Sequence, residues 1–135
     1  MKFIKAIPLT AYLLLFFNVI VYISQSRPDI NLQVTAFAFT LQSGTHFAAS
    51  VGDVLLMFGV LFLYVEIFKA TRSSPASILD HFLSMLVFVG FLIEFLLVSW
   101  AATPLFLLLA LMAFLDVVAG FTVTISTARR DFSRD

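Results

Sequence analysis

Four long apolar runs set the rhythm of this chain, and polar stretches of unequal length separate them. The runs cover about residues 6–24, 51–69, 78–98 and 104–125. Each is close to the roughly 20 mainly apolar residues that a helix needs to cross a bilayer. Between the first and second lies a long segment, 25–50, with a different texture. Its core, Asn31-Leu32-Gln33-Val34-Thr35-Ala36-Phe37-Ala38-Phe39-Thr40-Leu41, is rich in β-formers and partly alternates. Gln42-Ser43-Gly44-Thr45 is a turn signal, and His46-Phe47-Ala48-Ala49-Ser50 follows. That pattern predicts a small β-hairpin. A short apolar run also fits an interfacial amphipathic helix, which stays open here.

The remaining connections are short. Thr71-Arg72-Ser73-Ser74-Pro75-Ala76-Ser77 offers Ser74 as a cap and Pro75 as a first helical residue for the third span. Ser99-Trp100-Ala101-Ala102-Thr103-Pro104 offers Pro104 in the same way for the fourth. Such short links predict that helices two and three, and three and four, are antiparallel neighbours. The expected fold is an all-α membrane protein, a four-transmembrane-helix antiparallel bundle in one domain over 1–135. Its outer loop is 25–50 and its cytoplasmic tail 128–135.

Composition strengthens the membrane assignment. Of 135 residues, 61% are hydrophobic and 12% charged, and 17 are phenylalanine. A soluble domain carries about 25% charged residues. The first run is longer than a signal-peptide core and lacks a clear small-x-small cleavage site, so it reads as a retained helix. Net charge is zero and no basic groove with interleaved aromatics exists, which argues against a nucleic-acid partner. The absence of cysteine removes disulfides, thiolate metal sites and cysteine nucleophiles.

Basic residues then set an orientation. Lys2 and Lys5 precede the first span, Lys69 and Arg72 lie between the second and third, and Arg129, Arg130 and Arg134 follow the fourth. Only Arg27 lies in the first loop, and the third loop has none. The positive-inside rule places both termini and the middle loop in the cytoplasm, N-in/C-in, with Trp100 as an outer interfacial anchor.

Against this background the acids stand out. Asp53, Glu66, Glu94 and Asp116 lie within the spans or at their edges, where an ionised carboxylate facing lipid is costly. Residues three, four and seven apart share a helix face. Glu66 shares a stripe with Gly59 and Gly52, Glu94 with Gly90, and Asp116 with Ala113 and Gly120. Small residues mark close helix approach, so these acids are expected to face protein. Glu66 has Lys69 one turn away, as an ion pair would. Asp53 stands in a first helical turn, where the helix dipole favours an acid. Glu94 and Asp116, nearer mid-span, have no basic partner at helical spacing. Asn18 adds a polar group in the first helix. Asn18, Asp53, Glu94 and Asp116 therefore form a candidate functional polar cluster, with His46 above it and Glu66 and His81 secondary. His81 sits beside Asp80 and lacks metal-ligand spacing.

Catalytic motifs (HExxH, P-loop, GxSxG, GxGxxG) do not occur. The expectation is a non-enzyme without cofactor or metal. Three readings of the acids follow. Each can pair with a cation from another polypeptide, making the chain an accessory or interaction subunit of a membrane complex. They can relay protons or cations, or sense an outer ligand, through Glu94 and Asp116. Or they can be protonated and specify helix pairing. The partners expected are the lipid bilayer and a membrane protein or a second copy.

The runs Val51-Gly52-Asp53-Val54-Leu55-Leu56, Glu66-Ile67-Phe68-Lys69-Ala70-Thr71-Arg72, Asp80-His81-Phe82-Leu83-Ser84-Met85-Leu86-Val87-Phe88 and Leu111-Met112-Ala113-Phe114-Leu115-Asp116-Val117-Val118-Ala119-Gly120-Phe121-Thr122-Val123-Thr124-Ile125 resemble a group of small four-helix bacterial membrane proteins, mostly proteobacterial. The likeness covers the last two thirds of the chain. It implies a bacterial inner-membrane location and carries no activity.

Overall fold

Pro8, in extended conformation, leads into the first helix, α1 (Leu9–Ser26). The computed structural model describes residues 7–71 and 75–133. Lys2, Lys5, Arg72, Ser74 and Arg134, on which much of the orientation and one cap prediction rest, lie outside the described residues. Two strands follow, β1 (Thr35–Thr40) and β2 (His46–Ser50), then α2 (Val51–Ala70), α3 (Pro75–Leu97) and α4 (Pro104–Phe132). A single 3-10 turn, Ser99–Ala101, joins α3 to α4. All four helices are long and apolar enough to cross a membrane.

The segment between α1 and α2 is a β-hairpin, so the helical alternative is excluded. Its strands pair antiparallel, with Phe39 opposite Phe47 and Thr40 opposite His46. The turn closes through Leu41 N–H to the Thr45 carbonyl at 2.9 Å and Gly44 N–H to the Leu41 carbonyl at 2.9 Å. Gly44 takes a φ of 81°, a region that costs glycine little. β2 runs straight into α2. Ser50 is its N-cap, in a reciprocal capping box with Asp53. The N–H groups of Val51 and Gly52 donate to the Val34 and Leu32 carbonyls, both at 2.8 Å. The first donors of α2 are thus satisfied by the hairpin that precedes it.

Packing contacts fix the helix directions. Gly59 of α2 lies against Leu109 and Met112 of α4, and Gly52 against Leu105, so α2 and α4 run parallel. Asn18 of α1 meets Glu94 of α3, and Leu14 meets Gly90, so α1 and α3 run parallel. Phe88 stacks obliquely on Phe114, and His81 lies on Gly120, so α3 and α4 are antiparallel. One end of the bundle carries the hairpin. The other, the tail end, carries the start of α1 and the end of α4.

One expectation fails here. α2 and α3, joined by a short link, are not close-packed neighbours. α2 packs on α4 and α1, and α3 packs on α4 and α1. The physical reason is the small-residue face of α2. Gly52 and Gly59 let α4 approach where a Cβ at either position would collide with α4 side chains. That close fit takes the place beside α2 that chain order would have assigned to α3.

The helix ends also differ from the apolar runs. α1 spans Leu9–Ser26 rather than 6–24, and α3 begins at Pro75 rather than 78. α4 continues to Phe132, well past residue 125, so most of the expected tail is helical. Its polar extension keeps its hydroxyls satisfied. Thr122, Thr124, Ser126 and Thr127 each donate to a carbonyl four residues back. Arg129 and Arg130 sit in its last turn, where a cation complements the dipole.

The core is apolar and centred on α1 and α4. Leu13, Phe17, Phe91, Phe106 and Leu109 are fully buried. The Phe106 ring meets Phe17 edge-on at 4.7 Å and Phe91 at 5.4 Å. Phe106 thereby joins three helices at one level.

Candidate functional site

The polar groups inside the bundle fall into two layers, and each is built by the register just described. The tail-end layer comes from the start of α1, the end of α2, the beginning of α3 and the middle of α4. α1 starts without a side-chain cap of its own. Glu66 supplies one from α2, accepting the Leu9 N–H at 2.8 Å. Lys69 closes on the same carboxylate, at 3.2 Å from Oε2 and 3.3 Å from Oε1. An open backbone donor in an apolar medium costs several kcal/mol, so Glu66 works as a cap as well as an ion-pair partner.

Asp116 lies next to this group and is buried, 5% exposed, as Glu66 is at 4%. Thr10 donates its hydroxyl to Asp116 Oδ2 at 3.4 Å, and the Ser84 hydroxyl also bonds this carboxylate. Glu66, Lys69, Ser84 and Asp116 border the same small space. Together with Asp80, His81 and Ala70, their side chains line a cavity of about 10 Å³. That is at the lower limit for one water. His81 leans over Gly120, where any Cβ would run into its ring.

The hairpin-end layer is simpler. Asn18 Nδ2 donates to Glu94 Oε2 at 2.9 Å and to the Leu14 carbonyl of its own helix at 3.0 Å. Glu94 Oε1 is buried and has no hydrogen-bond donor.

The four residues read as one cluster are therefore separated. Asn18 and Glu94 meet. Asp116 does not join them, because the antiparallel register of α3 and α4 sets it level with Ser84, ten residues from Glu94. At 1.5 Å per residue that is about 15 Å along the axis. The fully buried Leu13, Phe17, Phe91, Phe106 and Leu109 fill the space between. Asp53 is exposed and tied to Ser50, whose N–H and hydroxyl donate to it at 2.8 and 2.7 Å. His46 is exposed on the hairpin, 3.0 Å from the Thr40 hydroxyl. Among the described residues no group of three or more His, Cys, Asp or Glu is arranged to hold a metal ion.

Sequence reasoning passed over Thr10, Ser84 and the bare start of α1. Two signals were present. Thr10 sits eight residues before Asn18 on the same helix stripe. Ser84 follows Asp80 and His81 by one turn, so it shares their face. Glu66 capping α1 had no local signal, since the bond joins residues 57 positions apart.

No family model matches the chain, and no curated protein or solved structure matches it either.

Proposed function

We propose that the chain is a multi-pass membrane protein, both termini cytoplasmic, acting as a non-enzymatic accessory or interaction subunit of a membrane complex. The observation that carries this reading is the closed apolar layer between the two polar layers. Carboxylates at different depths would serve a relay only if a polar path joined them. Here buried phenylalanines and leucines lie between Asp116 and Glu94. Asp116 accepts from Thr10, Glu94 from Asn18, and Glu66 from the Leu9 N–H and Lys69, so these acids tie helices together within the bundle. Among the described residues, Glu94 Oε1 is the buried side-chain oxygen left without a donor, and it is enclosed within the bundle. The resemblance of α2, α3 and α4 to small bacterial membrane proteins supports an inner-membrane location. Lys69 at the tail end of α2 and Arg129 and Arg130 near the end of α4 support the orientation.

Extraction from native membranes in mild detergent, followed by native mass spectrometry, tests the proposal. A stoichiometric membrane-protein partner or a second copy is expected, and a strictly monomeric protein overturns it. Orientation has its own test, because the chain has no cysteine. Ser43→Cys should react with an impermeant maleimide from outside the cell, and Ser133→Cys only after permeabilisation. The reverse pattern overturns the orientation.

Proton- or cation-coupled transport, or outer-ligand sensing, is the second reading. It is favoured by the buried Glu66 and Asp116 sharing a cavity with Asp80 and His81. Flux into proteoliposomes decides for the transport form. A rate above background that falls in Asp116→Asn and Glu94→Gln would displace the subunit reading.

A further inference from the structure

The hairpin has two unlike faces. Phe37, Phe39 and Phe47 project from one, with ring centroids 6.2 Å apart for Phe37–Phe39 and 5.2 Å for Phe39–Phe47. Ala38, Ala48, Thr40 and His46 occupy the other, where Thr40 and His46 bond each other. The three residues are 42%, 50% and 37% exposed, while Ala49 on the same face is buried, so the bundle covers the face only in part. A two-stranded sheet with an open aromatic face is not stable in water by itself.

We propose that this phenylalanine face rests in the interfacial layer of the bilayer on the hairpin side, as a lipid-contacting foot. The proposal rests on the reading that the four helices span a membrane. Four observations choose lipid as the occupant. First, residues 30–50 contain no Asp, Glu, Lys or Arg, and His46 lies on the face opposite the phenylalanines, so the aromatic face itself carries no charged side chain. Second, the hairpin cannot swing freely. β2 enters α2 without an intervening residue, and the Val51 and Gly52 N–H groups bond back to the Val34 and Leu32 carbonyls. The sheet is thus held at the level where α2 begins. Third, Phe47 lines one groove with Ala48, Ala49, Leu56, Met57 and Val60, so the hairpin adjoins the outward apolar surface of α2, with Asp53 at the same groove held by Ser50. Met57 and Val60 are exposed and belong to the surface that lipid would cover. Fourth, Tyr22 and Trp100 stand exposed at the same end of the bundle. Amphipathic aromatics concentrate at the headgroup level, and apolar faces of interfacial elements bury about 5–10 Å into that boundary.

Single-tryptophan reporters test this in a Trp100→Phe background. Phe39→Trp reads the aromatic face, Thr40→Trp the opposite face, and Val60→Trp the outward surface of α2. Each protein is reconstituted into phosphatidylcholine–phosphatidylglycerol vesicles, with and without bromine on the acyl chains. Brominated lipid is expected to quench F39W about as strongly as V60W, and to spare T40W. Aqueous iodide is expected to quench T40W and spare F39W. If F39W follows T40W while V60W is quenched by lipid, the face is in water and the proposal fails. If F39W is shielded from both quenchers while V60W is lipid-quenched, a protein covers the face and the proposal also fails. If V60W is not quenched by lipid, the membrane-spanning reading falls first and takes the foot with it.

Discussion

Replacing Asn18 by leucine probes the hairpin-end layer at its weakest point. Glu94 already has one oxygen without a donor, and Asn18 supplies the hydrogen bond to the other at 2.9 Å. Asn18→Leu removes that bond and leaves both carboxylate oxygens unsatisfied. Interhelical hydrogen bonds in membranes contribute about 0.6 kcal/mol on average and about 1.7 at most. A stranded buried acceptor costs about 1–3 kcal/mol. Leucine is the better helix former by a few tenths of a kcal/mol, which offsets little. The expected net loss is about 1–2 kcal/mol. The double variant Asn18→Leu/Glu94→Leu removes donor and acceptor together, so it should recover to within about 1 kcal/mol of the native protein. The cycle would then show a coupling of about 1 kcal/mol or more between two residues on different helices. Reversible SDS titration in lipid–detergent micelles, followed by far-UV circular dichroism, reads all four proteins. Additive losses in the double variant, or an unchanged midpoint for Asn18→Leu, would refute the reasoning. Either result would mean that the pair contributes nothing to holding α1 on α3.

The same assay checks three other contacts. Gly120→Ala gains up to about 1 kcal/mol of helix propensity but drives a Cβ into the His81 ring, an overpacking cost of about 1–3 kcal/mol; a net loss relieved by adding His81→Ala is expected, and a gain with His81 intact would contradict it. Glu66→Leu strips the cap from Leu9 and strands Lys69, for a loss of about 3 kcal/mol, near the low end for a broken buried pair because Lys69 is partly exposed. Glu66→Gln keeps an acceptor for the Leu9 N–H and should lose clearly less; equal damage from Gln and Leu would count against the cap. Phe106→Ala opens a cavity where three helices meet and should cost about 3–5 kcal/mol, so a loss under 1 kcal/mol would show that the junction collapses to fill it.

How far a feature could be read in advance depended on how local its cause is. That Glu66, Glu94 and Asp116 face protein could be suspected from the glycines on their stripes. Which acids share a layer could not, because that depends on the register between α3 and α4. The candidate set Asn18, Asp53, Glu94 and Asp116 was split on this point. Glu94 found Asn18, Asp116 found Thr10 and Ser84, and Asp53 was used up by Ser50. The serine and threonine partners were overlooked because a hydroxyl in an apolar helix ordinarily bonds its own backbone. Thr122 and Thr124 do so here.

Composition and apolar run length alone determined that four helices would be long and apolar enough to cross a membrane. Turn chemistry favoured the hairpin, since Gly44 could take the positive φ and the alternating phenylalanines could share one face, but it left an interfacial helix open until the strand pairing excluded it. The starts of α2 and α4 were also written locally, in Ser50 with Asp53 and in Thr103 with Pro104. Only the tertiary structure decided that α2 would sit beside α4 instead of α3. Glycines at positions 52 and 59 create a groove, but nothing in their own sequence names the helix that fills it. Only the tertiary structure, likewise, gave the bare start of α1 to Glu66, because a cap supplied from a different helix is a matter of contact in space. Run length, turns and caps act over a few residues and are legible in order along the chain. Helix partnership is settled by shape complementarity between distant segments, which no single segment encodes.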